Sequence, residues 1–377
     1  MLCLSPSTTQ ANPKLVRTFD ATNGGHTGPI EALTMLGNGL LASSSQDNLI
    51  KVWDLLSPSQ RYLRFTMSTS NGGHSNAVTA LASLGDSILV SGSVDTTVKV
   101  WNTSSGSLLH TFDSTNGGHA FFVSSLASLG KNMFVSGSYD FSVKLWSLTS
   151  LVSTFDASNG GHTGIVWQVV QLARNGTLFA SSSDDRTVKV WNVATNALTR
   201  TLTGHTDSVK CLTWLTGTGL LASGSDDYTI RLWNVSSGAV RATFGAQNGG
   251  HTARITALAF LGNGLLASGS ADWSVKVWDV AAASLRFTLR GHAATILSLA
   301  PLSLSGNLLA SGAADGSTKV WDLATMNARY TFNASNQGHH LAVRTLVSVA
   351  TNIPISQLQN YLVTGSDDFS IKVWDDL

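Results

Sequence analysis

A histidine, a hydroxyl residue, an aspartate and a tryptophan recur together eight times along this chain, the last three at fixed offsets. From Gly204 to Asn234 the unit reads Gly-His at 204–205, a short apolar run Val209-Lys-Cys-Leu, then Leu220-Leu-Ala-Ser-Gly-Ser-Asp-Asp and a closing run Tyr228-Thr-Ile-Arg-Leu-Trp-Asn. The histidines are His26, His74, His119, His162, His205, His251, His292 and His339; the closing tryptophans are Trp53, Trp101, Trp146, Trp191, Trp233, Trp278, Trp321 and Trp374. Six residues before each tryptophan stands an aspartate (Asp47, Asp95, Asp140, Asp185, Asp227, Asp272, Asp315, Asp368), and four before that a serine, or Thr364 in the last copy. The apolar runs are four to six residues long, rich in Val, Ile and Trp, and divided by Gly, Ser and Asp, so they predict strands. Such a unit cannot bury its own faces. Neighbours must stack, so residues 14–377 read as one domain of eight repeats.

The two ends fit together. Lys14-Leu-Val-Arg-Thr-Phe19 matches the run that precedes each later Gly-His, yet no unit of its own comes before it. The last unit stops after its third strand, at Leu377. Residues 14–19 are therefore expected to complete the last unit beside 370–375 and stitch a ring shut. Residues 1–13, polar and holding Pro6 and Pro13, are expected to be a disordered tail.

A tryptophan period of 42 to 53 residues, with Gly-His opening and Trp-Asp closing, resembles the WD40 repeat. The dipeptide is Trp-Asp in four copies, Trp-Asn in three and Trp146-Ser in one. The resemblance implies an all-β fold: an eight-bladed β-propeller of four-stranded antiparallel blades round a central channel, closed by the N-terminal strand. It also implies a non-catalytic scaffold that binds a protein or peptide, alone or as the sensor end of a larger signalling assembly.

Charge adds little to this. The net charge is +1, so no basic stripe points to nucleic acid. A Lys or Arg stands two residues before every tryptophan, where its stem can lie on the blade and its head reach water. Cys3 and Cys211 form no disulfide or metal pattern. Nothing resembles a secretion signal or a membrane-spanning run, so the expectation is a cytoplasmic, monomeric propeller without cofactor, metal or membrane partner.

Two departures from an even repeat stand out. Six of the eight Gly-His loops are long; five carry Asn-Gly-Gly and the sixth Asn336-Gln-Gly, which predicts a defined turn with positive φ. The last unit carries an insertion from Ser348 to Asn360, on the face opposite the Gly-His loops.

His, Asp and Ser together invite a hydrolase triad, which needs the three converging at one cleft. Eight copies, each with its own tryptophan and no oxyanion element, argue against catalysis. One histidine per repeat likewise argues against zinc. In the WD40 family these residues form a buried hydrogen-bonded tetrad, here His205, Ser223, Asp227 and Trp233 in blade five.

That family binds partners on the face carrying the Gly-His loops, at three positions per blade: three and five residues after His, and one before Asp. Carried over, blades two to four present Val94, then Phe122 and Tyr139, then Ile165 and Trp167, with Phe121 alongside. Asp184, Lys210, Asp226, Arg254, Arg344 and Asp367 make the other sector charged. The aromatics either bury one another or anchor a partner; contact is favoured because aromatic anchors dominate interface energetics. The Asn-Gly-Gly loops of blades two to four are expected to wall the patch, and Asp226 to lie at the surface. The alternative function is a phosphopeptide-reading substrate receptor using Lys210, Arg254 and Arg344.

Overall fold

The computed structural model describes residues 13–375 except 58–60, 86, 131, 173–176, 303–306 and 351–358. Eight separate four-stranded antiparallel sheets form a closed eight-bladed propeller. Blade one runs from β2 (Ile30–Gly37) through β3 (Leu40–Ser45) and β4 (Ile50–Asp54) to β5 (Leu63–Met67). Blades two to seven repeat that order, first strand innermost and fourth outermost.

Closure follows the sequence. β1 (Lys14–Phe19) pairs antiparallel with Ile371–Asp375, from Lys14 opposite Asp375 to Phe19 opposite Ile371, with a bulge between Leu15 and Arg17. Blade eight thus takes its outer strand from the start of the chain and its other three from the end.

Third strands such as Val188–Asn192 are buried on both faces, because neighbouring blades cover them. The tryptophans do much of that covering. Each is at most 2% exposed, and five meet the last outer-strand phenylalanine of the preceding blade: Phe19 stacks on Trp53 at 4.4 Å, Phe244 on Trp278 at 4.5 Å and Phe332 on Trp374 at 4.0 Å, while Phe112 lies tilted against Trp146 at 4.4 Å and Phe155 against Trp191 at 4.6 Å. Burying one such ring stabilises by about 1.5–3 kcal/mol, so the tryptophans join blades as well as filling them.

The glycine of the Ser-Gly-Ser run has a matching role. A methyl at Gly269 would sit 2.5 Å from Ile296 Cγ2 of the next blade, and one at Gly224 2.5 Å from Ile255 Cγ2. The first strand of each following blade plugs into that gap.

The long loops are defined turns, as their Asn-Gly-Gly predicts. In the first, the Asn23 side chain accepts from Asp20 N–H at 3.0 Å and donates to the Thr18 carbonyl at 2.7 Å. Gly24 then takes φ 84°, a left-handed conformation. Gly25 is required for a different reason: a Cβ there would meet the Asp20 backbone at 2.5 Å. This explains why the sixth loop tolerates Gln337 at the left-handed position, φ 71°, but keeps Gly338.

Two expectations need correction. The loops do not wall the mouth: Gly72, Gly117 and Gly160 lie against Leu108, Leu151 and Leu198 of the outermost strands, so these turns fill the grooves at the circumference. The 348–360 insertion is partly sheet, since Ser348, Val349 and Ala350 pair with Leu362, Tyr361 and Gln359; the rest, like residues 1–12, lies outside the described residues.

Candidate functional site

Eight equivalent networks, one per blade, carry the Gly-His face. Each tryptophan indole N–H donates to the serine Oγ, or to Thr364 Oγ1, at 2.8–3.3 Å. That hydroxyl donates to histidine Nε2 at 2.6–2.8 Å. Histidine Nδ1–H donates to the aspartate at 2.7–3.3 Å, which fixes the tautomer of a neutral ring. The aspartate also takes the amide after the histidine, as from Thr206 at 3.0 Å.

Burial holds His26, His74, His119, His162, His251 and His339 below the usual histidine value, outweighing the neighbouring carboxylates. Burial also pushes the aspartates upward, but the donors around them prevail and leave them well below the usual carboxylate range. In those six blades the result is a neutral imidazole braced by an anion. Among the described residues no histidine, cysteine or acidic group gathers into a metal cluster. Cys211 is buried, its thiol pushed up to about 12 by desolvation. No helix among the described residues is long and apolar enough to cross a membrane.

Removing one tetrad member strands the others in a dry interior, at about 1–3 kcal/mol per orphaned group. Asp227→Ala should therefore lower the thermal midpoint clearly, and Asp226→Ala hardly at all, as thermal unfolding would show. Asp226 is half-buried rather than exposed, with 23% of its side chain accessible. Burial raises its carboxyl despite Lys210 and Arg254, so its charge adds little to stability.

One backbone bond sets out the mouth. In blade three Tyr139 N–H donates to the Phe122 carbonyl at 2.9 Å, and in blade four Asp184 N–H to that of Ile165 at 2.9 Å. The residue before each aspartate and the one three after each histidine are thereby held side by side. From there the aromatics form a continuous ladder: Phe121 to Phe122 at 4.9 Å, Phe122 to Tyr139 at 5.6 Å, and Tyr139 edge-on to Trp167 at 5.3 Å. Phe121 is 52% exposed and the other three rings are partly accessible, so the ladder is a surface rather than a core. Val94 and Ile165, both partly buried, hold their blade positions outside the stack.

The ladder ends on charge. Lys210 Nζ lies 3.6 Å from the Trp167 ring centroid, 3.1 Å from Asp184 and 3.6 Å from Asp226. Arg344 makes a bidentate pair with Asp367 of its own blade. Two of the three basic groups that a phosphate would need are thus neutralised by carboxylates, and only Arg254 remains exposed without an ion pair among the described residues.

Sequence reasoning missed four residues on this face. Phe141, Tyr228, Trp273 and Phe369 each follow a tetrad aspartate, are 41–54% exposed, and hold φ of 68–70°. Bulky side chains there cost about 1–2 kcal/mol in strain; Gly316 takes the same place freely, at φ 76°. The signal was an aromatic directly after the turn aspartate.

Comparison with known proteins agrees with this architecture. The family model "WD domain, G-beta repeat" matches eight segments: 13–54, 65–102, 106–147, 150–192, 196–234, 242–279, 283–322 and 330–375. A crystal structure of the computationally designed Ika8 protein is similar at TM-score 0.76 and 31% identity, over 93% of this chain and 97% of that one. U3 small nucleolar RNA-associated protein 15 of Schizosaccharomyces pombe is 47% identical over 45 residues, 12% of this chain and 9% of that protein. An uncharacterised WD repeat-containing protein of the same organism is 45% identical over 56 residues, 14% of this chain and 15% of its own length. These two similarities span about one repeat each. With eight matched repeats and a closed ring of eight blades, the chain belongs to the WD40 repeat family.

Proposed function

We propose that this propeller is a non-catalytic interaction scaffold that binds an extended protein or peptide segment across the aromatic ladder Phe121–Phe122–Tyr139–Trp167. The observation that supports this is four aromatic rings in mutual contact yet left accessible at the mouth. The equivalent positions elsewhere hold mostly small, polar or charged residues, with Ile165, Leu297 and Leu341 the large apolar exceptions and no second aromatic, so the ring closes without an aromatic there. Apolar anchors of a partner bury most favourably against such rings. The phosphopeptide alternative is disfavoured, because Lys210 and Arg344 are already paired with carboxylates.

The test is capture of binding proteins from a cell extract by immobilised wild type and by the Trp167→Ala, Phe122→Ala double variant. The variant should lose capture with its melting temperature little changed, each ring contributing about 2 kcal/mol of affinity. Undiminished capture would move the site elsewhere. A large fall in melting temperature would show the rings to be core.

A further inference from the structure

One contact in the mouth has the chemistry of a bound ligand. Lys210, on the first strand of blade five (Val209–Leu215), reaches back to blade four and lays its ammonium over the face of Trp167. The receptor around it is built. The Trp167 indole N–H and the Ser208 hydroxyl both donate to Asp184 Oδ1 at 2.5 Å, which fixes the ring and the carboxylate relative to each other. Tyr139 supports the indole from the side. Asp226 supplies a second carboxylate 3.6 Å from the ammonium. An aromatic face flanked by two carboxylates is a site for a cation.

The charge count points the same way. Two carboxylates face one ammonium, and the further charges acting on Asp226, Arg254 and Asp207, oppose each other in sign. The Lys210, Asp184 and Asp226 side chains keep 24%, 31% and 23% exposure, so the site opens to solvent and the lysine head can leave it for water. The position that Trp167 holds in blade four is Glu31, Thr79, Ser124, Lys210, Thr256, Leu297 or Arg344 in the others, so the arrangement occurs once in the ring.

Resting on the mouth reading above, we propose that Lys210 is an internal plug in a site for a cationic side chain of the partner: an arginine or lysine flanked by an apolar residue that lies on the ladder. The incoming cation displaces the Lys210 ammonium and takes its place on Trp167 within reach of Asp184 and Asp226. Arginine suits the site better, because its planar group stacks on an indole while its edge N–H groups meet carboxylates. The plug lowers apparent affinity by competition, so a partner without the cation gains nothing from the site.

The test measures binding of the peptide acetyl-Leu-Arg-Leu-amide to the full chain by calorimetry, with acetyl-Leu-citrulline-Leu-amide as the neutral isostere. Lys210→Met keeps the bulk and removes the plug. It should bind the arginine peptide on the order of tenfold more tightly than wild type, a gain absent for the citrulline peptide. Adding Trp167→Leu to Lys210→Met should erase the gain. Equal arginine affinity in wild type and Lys210→Met would overturn the proposal, as would an equal gain for citrulline. So would a large loss of melting temperature in Lys210→Met, which would make the contact a structural ion pair. If Lys210→Met gains nothing while Trp167→Ala with Phe122→Ala still abolishes capture, the ladder binds its partner without a cation site, and only the present inference fails.

Discussion

Deleting residues 1–19 should leave a chain that no longer unfolds as one cooperative ring. The truncation removes β1, strips the outer edge from Ile371–Asp375, and uncovers Trp53 by taking away the Phe19 ring stacked on it at 4.4 Å. Phe19 is 2% exposed, and Phe19→Ala alone should cost about 3–5 kcal/mol. Whole domains are stable by only about 5–15 kcal/mol, so loss of the entire strand is comparable to the total. The bared edge, Ile371-Lys-Val-Trp-Asp, is also a template for intermolecular pairing, so the truncated chain should aggregate on refolding. Urea denaturation followed by tryptophan fluorescence measures the point variant directly. A truncated chain with the full-length midpoint would show that blade eight is held without its outer strand.

Acid should destabilise the ring in two stages. Six buried histidines are held below their ordinary value of 6.5 by desolvation. The unfolded chain therefore takes up protons near pH 6.5 that the folded chain refuses, and stability present above that pH falls as pH drops through the interval to the folded values. The tetrad aspartates are depressed, so their contribution is present above pH 3.8 and is lost as pH falls further. Each group contributes a slope of up to about 1.4 kcal/mol per pH unit within its window. Six histidines acting together make the first stage steep. Melting temperatures measured from pH 7.5 to 4 should fall continuously below about pH 6.5. A flat profile between pH 7 and 5 would mean that the folded histidines titrate as they do in the unfolded chain.

The fold was legible because its determinants are periodic. His205, Ser223, Asp227 and Trp233 could be assigned to one network before any geometry, since six other copies hold the same residue types in the same order and the last differs only in Thr364 for serine. The closing strand was legible for the same reason: Lys14–Phe19 is a repeat fragment without its repeat. The mouth was legible by position but not by contact. That Tyr139 touches Trp167 depends on how blades three and four meet, and the repeat does not encode that residue by residue. The hold of Lys210 on Trp167 crosses a blade boundary over 43 positions of sequence and breaks the repeat, so no periodicity announces it. The rim position of the Asn-Gly-Gly turns was misjudged because their length was visible and their direction was not. Direction is set by the Asn23-type side chain folding the loop back onto its own outer strand.

The stagger between repeat and blade has a topological consequence. Each covalent repeat contributes the outer strand of one blade and three strands of the next, and the first and last strands described are neighbours in blade eight. The molecule is thus a necklace whose clasp happens to lie there. The same clasp could sit in any blade, because every third-to-fourth strand turn occupies an equivalent place on the face away from the mouth. Joining the present ends and opening the chain instead between Asn102 and Ser107 would move the clasp to blade two while keeping every strand neighbour it now has. Such a ring has no intrinsic first blade.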